Sequence, residues 1–147
     1  MILGIDPGKT GALAWVHDDG LLPHIVDMPD VTGAALAAVL ADMIHDNRPD
    51  VAWVEQVHAM PRQGVSSTWK FAEGYGVILG ALGALGVPVR LVTPAAWKKA
   101  ARLPKDKTAA RQRAIELWPD LSERFARVKD DGRAEAALIA LYGMGEK

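Results

Sequence analysis

The sequence predicts an α/β fold: a mixed β-sheet in which three antiparallel strands are followed by parallel ones, flanked by helices. Two observations carry that expectation. Three short strand-like runs separated by tight turns open the chain, and strand-like and helix-like segments then alternate, giving the order βββαβαβ before a final run of helices. The chain has 147 residues, of which 50% are apolar and 24% charged. That is ordinary usage and size for one domain over 1–147, and it leaves disorder, collagen and coiled coil without compositional support.

Residues 2–6 (ILGID) and 12–16 (ALAWV) read as strands around the turn Pro7-Gly8-Lys9-Thr10-Gly11, and 17–20 (HDDG) as a second hairpin turn before a strand near 22–28. From Thr32 to about Asn47, Leu36, Val39, Leu40 and Met43 recur at helical spacing, with Asn47 and Pro49 as the stop. Val51 to Glu55 is a compact apolar run ending in a carboxylate, the pattern of a buried parallel strand. A polar loop over 57–66 leads to Ser66 or Ser67 as the cap of a small-residue-rich helix that runs to about Leu85 and closes at Gly86. Val87 to Val92 is the next strand. Thr93-Pro94 then caps a short helix through Trp97 to Ala101, which Pro104 breaks. Lys107 to Leu117 reads as a basic amphipathic helix ended by Pro119, and Asp131 to Tyr142 as a last helix rich in Ala and Leu.

Cysteine is absent, which removes disulfides, thiolate zinc sites and a cysteine nucleophile, so any metal must use oxygen or imidazole ligands. No apolar run has the length of a membrane span, and Asp6 interrupts the segment where a signal peptide needs basic and then apolar residues, so a cytoplasmic protein is expected. The net charge of -1 hides a division: residues 1–55 hold nine acids against Lys9 and Arg48, and 56–147 hold fifteen bases against nine acids. Seven of the seventeen basic residues fall between Lys98 and Arg113, with Asp106 as the one acid among them.

Asp6 and Glu55 each end an apolar strand, and Asp131 and Glu135 lie one turn apart on the last helix. A charge at a buried strand end is unfavourable unless paired or bound to a cation. Carboxylates converging from distant parts of a chain make an oxygen-rich site suited to Mg²⁺ or Mn²⁺. With 3.6 residues per turn, positions 131 and 135 differ by roughly 40° in azimuth and 130 and 135 by about 140°, which favours Asp131 over its rival Asp130. Simpler roles compete: Asp6 as a turn residue, Asp130 or Asp131 as a helix cap, Glu135 as a solvated helix residue.

Gly4 to Thr10 invites a phosphate-loop reading, but three residues instead of four separate the glycines, a strand follows instead of a helix, and Asp6 would repel phosphate. The basic run is either a solvated face or a track for a polyanion, in which Lys98, Lys99, Arg102, Lys105, Lys107, Arg111 and Arg113 neutralise phosphates. Lys9 and the segment Arg62, Gln63, Trp69 and Lys70 would extend it. Trp15, Trp53, Trp97 and Trp118 sit in apolar periodic settings and read as core, and His58 as a loop residue.

The layout resembles the RuvC-like Holliday-junction resolvases of the RNase H-like superfamily, particularly their short phage and prophage forms. The likeness runs through 2–11 (ILGIDPGKTG), 54–64 (VEQVHAMPRQG), 92–99 (VTPAAWKK) and 130–143 (DDGRAEAALIALYG). The resemblance implies an RNase H-like fold and a crossover junction endodeoxyribonuclease in which Asp6, Glu55, Asp131 and Glu135 bind two divalent ions. Paired hydrolytic nicks in a four-way junction, made by a homodimer with no small-molecule cofactor, would leave 5′-phosphate ends. It also implies that Lys107 or Lys105 stabilises the phosphate in transition and that His58 and the basic residues meet the DNA. Three differences stand out: the bacterial enzyme's final acids are three residues apart and not four, it has phenylalanine where this chain has His58, and the basic helix is closer to the phage forms. The rival readings are a YqgF-like RNA-processing nuclease, a non-catalytic branched-DNA-binding module and a phosphotransferase, the last needing a second domain that the sequence does not offer.

Overall fold

The computed structural model describes residues 1–18, 22–57 and 64–146. Strands β1 (Ile2–Asp6), β2 (Ala12–Val16) and β3 (His24–Asp27) form an antiparallel meander, helix α1 (Gly33–Asp46) follows, and β4 (Val51–Glu55) returns parallel to β1. Helix α2 (Val65–Ala84) leads to β5 (Val89–Val92), parallel to β4, and then come α3 (Pro94–Ala100), α4 (Ala109–Leu117) and α5 (Asp131–Gly145). The five strands lie in the order β3-β2-β1-β4-β5, so the mixed α/β sheet expected from the sequence is present with β1 at its centre.

Alternation along each strand divides the core. Leu3, Ile5, Leu13, Trp15, Ala52 and Val54 face α1 and α2, whereas Ile2, Ala12, Ala14, Val16 and Trp53 face α5 and the helices around it. The same parity sends Asp6 and Glu55, each at an even step from Ile2 or Trp53, to the α5 side. Helix α5 is buried nearly all round, which is why its sequence is Ala-, Leu- and Gly-rich without a polar face. It packs on β1 and β2 with α4 at its back.

Two glycines permit that packing. A Cβ on Gly4 would overlap the backbone of Ala136 and Ala140, and one on Gly132 would overlap the backbone of Thr10 and Gly11. The helix therefore touches both the middle of β1 and the turn just beyond Asp6.

Several boundaries differ from expectation. Helix α2 begins at Val65 with Gly64 in the cap position, and Ser67 Oγ donates to the Gly64 carbonyl at 2.8 Å, so neither Ser66 nor Ser67 is the cap. Strand β5 starts two residues late because Gly86 (φ +66°) and Val87 close α2, their amides donating to the Gly83 and Leu82 carbonyls. Asp106 accepts from the amide and the hydroxyl of Thr108, both at 2.6 Å, and that turn delays α4 to Ala109 and leaves Lys107 outside the helix. Two 3₁₀ segments, Pro119–Phe125 and Val128–Asp130, join α4 to α5, and Phe125 seals the core beneath them. The turn expected over 17–20 lies partly outside the described residues, and the strand after it begins at His24. Among the described residues, no helix is long and apolar enough to cross a membrane.

Candidate active site

Neighbouring parallel strands β1 and β4 end side by side, and ligands gather where such strands end. Asp6 closes β1 and Glu55 closes β4, while Glu135 sits in the second turn of α5 at the level set by Gly132 against the β1–β2 turn. One carboxylate oxygen from each of the three lies within 4.8 Å of the other two. Residues 6, 55 and 135 are thus joined from three separate elements.

Such a cluster stores electrostatic repulsion. Burial, followed by the charges of Glu135 and Glu55, pushes the Asp6 carboxyl from 3.8 up to about 8, with Lys98 opposing. Burial also raises Glu135, again against Lys98, and Glu55 and Asp131 add to the rise. An all-oxygen donor set that keeps a proton near neutral pH for want of a counter-charge fits a hard divalent cation.

Helix α3 supplies two partners. Trp97 is completely buried and its indole Nε1–H donates to Glu55 Oε1 at 2.8 Å, while Lys98 Nζ lies 3.4 Å from Glu135 Oε1. Lys98 also lies over the Trp97 ring, 5.0 Å from its centroid. Sequence reasoning placed Trp97 in the core, where it is, and Lys98 on a DNA track, and it missed that both reach the carboxylates. The signal was present. Val92 pairs in register with Glu55, and the Thr93 cap starts α3 at the next residue, with Thr93 Oγ1 accepting from the Ala96 amide, so the first turn of α3 must lie at the Glu55 end.

The two neighbouring aspartates go elsewhere. Asp130, 1% exposed in its side chain, accepts from the Arg127 amide and guanidinium and pairs with Arg133 Nη1 at 3.2 Å. Burial alone would raise this carboxyl, but the Arg127 hydrogen bonds and both arginine charges hold it below the usual range. Asp131 pairs with Arg111 Nε at 2.6 Å and stands outside the three-carboxylate cluster, half-exposed, one turn before Glu135.

The basic residues divide as well. Lys99, Arg102, Lys105 and Lys107 are exposed, and so are Lys70 and Lys9, the latter 3.2 Å from Asp30. Arg111 is held by Asp131 and the Ala126 carbonyl, and Arg113 by Glu116. Of the lysines named from the sequence, Lys98 and not Lys107 is the one paired with the cluster. His58, Arg62 and Gln63 lie outside the described residues.

No protein-family model matches the chain. It is 34% identical over 110 residues to the crossover junction endodeoxyribonucleases RuvC from two strains of Nitratidesulfovibrio vulgaris, a match covering 67% of this chain and 64% of each relative. Among solved structures, it is similar to T. thermophilus RuvC in complex with Holliday junction substrate, with a TM-score of 0.70 and 24% identity over 96% of this chain and 90% of that one. The Fowlpox virus resolvase in complex with substrate Holliday junction DNA gives 0.62 and 16% identity, with both chains covered in full. The yeast mitochondrial Holliday junction resolvase Ydc2 gives 0.63 and 18% identity, covering 97% of this chain and 77% of that one.

Proposed function

We propose, from the premise that this chain has the RuvC resolvase fold, that it is a divalent-metal-dependent, structure-selective endonuclease that resolves Holliday junctions and other branched DNA. One observation carries the reading: the Asp6, Glu55 and Glu135 carboxylates meet at the ends of the central parallel strands with Lys98 beside them. The 34% identity to RuvC supports it, although the matched segment spans 64% of those relatives' length.

Asp6, Glu55 and Glu135 would hold Mg²⁺ or Mn²⁺, and Asp131, one turn from Glu135, would be the fourth ligand of a two-ion arrangement. Bound there, such ions lower the pKa of a water and neutralise charge on a leaving 3′ oxygen. The chain's own groups do the rest. Asp6 would be ionised beside such a cation, Glu55 accepts the Trp97 indole N–H, and Lys98 would supply a positive charge for the phosphate in transition. Lys107 and the exposed Lys9, Lys70, Lys99, Arg102 and Lys105 bind DNA phosphates, with Arg111, Arg113, His58, Arg62 and Gln63 as further contacts. Two copies acting as a homodimer would make the paired nicks and leave 5′-phosphate ends. Such work would be done in the cytosol of a bacterial or phage-infected cell.

The test is incubation with end-labelled four-way junctions, flaps, forks and linear duplex, in Mg²⁺, Mn²⁺ or EDTA, mapping nicks on both strands. Symmetric nicks in the junction, dependent on metal and lost in Asp6→Asn, are expected. Junction binding without any cutting would reassign the protein as a non-catalytic branched-DNA module, and preferential cutting of RNA would favour the YqgF-like activity.

A further inference from the structure

Helix α3 presents two consecutive side chains to two of the three carboxylates, and the two differ in kind. Lys98 is a half-exposed cation on Glu135, a partner that an arriving metal ion competes with. Trp97 is fully buried, uncharged and able only to donate, and Glu55 Oε1 is the acceptor of its Nε1–H. A buried indole N–H without an acceptor is unfavourable, so this bond persists whatever else the carboxylate does. It uses one lone pair of Glu55 and leaves the remaining acceptor capacity of that carboxylate for a cation. The ring is packed in the α5-side core and carried on a helix whose start is set by the Thr93 cap and Pro94. Glu55 itself is only 8% exposed, so its carboxylate shares the buried setting of its donor.

We infer that Trp97 is a positioning residue for the metal centre: its buried indole N–H, donated to Glu55 Oε1, fixes the Glu55 carboxylate in the orientation that faces Asp6 and Glu135. The inference rests on the metal-dependent reading above, and it assigns to α3 a task that a core tryptophan alone does not have. A phenylalanine at position 97 fills most of the same space and keeps an aromatic face beside Lys98 while removing the donor.

The experiment is Mn²⁺ binding without DNA, followed by titration calorimetry on the wild type, Trp97→Phe and Asp6→Asn, together with the indole ¹H–¹⁵N resonances of the wild type during Mg²⁺ titration. Trp97→Phe is expected to keep the wild-type circular dichroism and weaken Mn²⁺ binding roughly ten- to a hundredfold, in the range of a lost ligand-orienting partner. One indole resonance, absent in Trp97→Phe and displaced in Glu55→Gln, is expected to shift on Mg²⁺ addition while that of exposed Trp69 stays in place. Wild-type Mn²⁺ affinity in a folded Trp97→Phe, or a Trp97 resonance unmoved at saturating Mg²⁺, overturns the positioning role while leaving the nuclease reading intact. Absence of Mn²⁺ binding by the wild type overturns both. If Trp97→Phe does not fold, displacement in Glu55→Gln identifies the Trp97 resonance and the Mg²⁺ titration of the wild type decides the matter.

Discussion

Asp6 keeps its proton at neutral pH in the cation-free protein because burial and two neighbouring carboxylates disfavour its charge. In the unfolded chain it ionises near 3.8, and in the folded one near 8, so between those values the folded state holds a proton that the unfolded chain has released. Stability therefore falls as pH rises across that window. Asp6→Asn removes the effect: in EDTA its melting temperature should match the wild type near pH 4 and exceed it by several degrees at roughly pH 9. The same substitution should abolish metal-dependent junction cleavage while junction binding survives, so a more stable and inactive variant is the expected combination. Asp130 behaves in the opposite sense. Its carboxyl is held low by Arg127 and Arg133, so its contribution is present above the ordinary carboxylate value and is lost as pH falls through the lowered one. Asp130→Ala removes the buried acceptor shared by half-exposed Arg127 and by Arg133, which Asp27 still holds, and should cost about 1–2 kcal/mol in urea unfolding.

At the scale of elements, α5 is positioned by absence of side chains. Gly4→Ala forces a methyl into the backbone of Ala136 and Ala140, where neither β1 nor a helix buried all round has room to move, and should cost about 3 kcal/mol or more, or prevent folding. Gly76→Ala is the contrast. Nothing lies within 4 Å of a Cβ there, the residue is in the middle of α2 and exposed, and alanine should stabilise by roughly 0.5–1 kcal/mol through helix propensity. Denaturant midpoints for the two variants separate a packing glycine from a dispensable one. Helix α3, seven residues long, depends for its placement on the Thr93–Ala96 cap and on β5 pairing with β4, and through Trp97 and Lys98 it ties that edge of the sheet to the carboxylates.

For the molecule as a whole, a net charge of -1 combines an acidic first part with a basic second part, so net charge says little about whether a polyanion binds. The structure also separates basic residues that the sequence groups together: Lys99, Arg102, Lys105 and Lys107 are exposed, while Arg111 is tied to Asp131 and Ala126. Junction binding should therefore weaken steeply with salt, and Lys99→Ala and Lys105→Ala should each reduce the slope of log K against log salt by about 1. Arg111→Ala should instead lower the melting temperature and change the slope less. Equal slope changes for all three would mean that Arg111 leaves Asp131 to meet DNA.

By itself the sequence determined the order of elements, the strands, most helix ends and the placing of Asp6 and Glu55 at strand ends. These depend on local rules: alternation along a strand, the 3.6-residue period, turn glycines and caps. It also named Glu135 on the last helix as a site carboxylate, with azimuth favouring Asp131 over Asp130 as its partner. Only the tertiary structure decided that Glu135 meets Asp6 and Glu55 without Asp131, that Asp131 and Asp130 are held by arginines, and that Trp97 and Lys98 reach the cluster while Lys107 stays at the surface. The reason is physical. Which side chain of α5 meets β1 is set by how deeply the helix seats against Gly4 and how its first turn abuts Gly11, and that fit between surfaces distant in sequence is not a property of any local period.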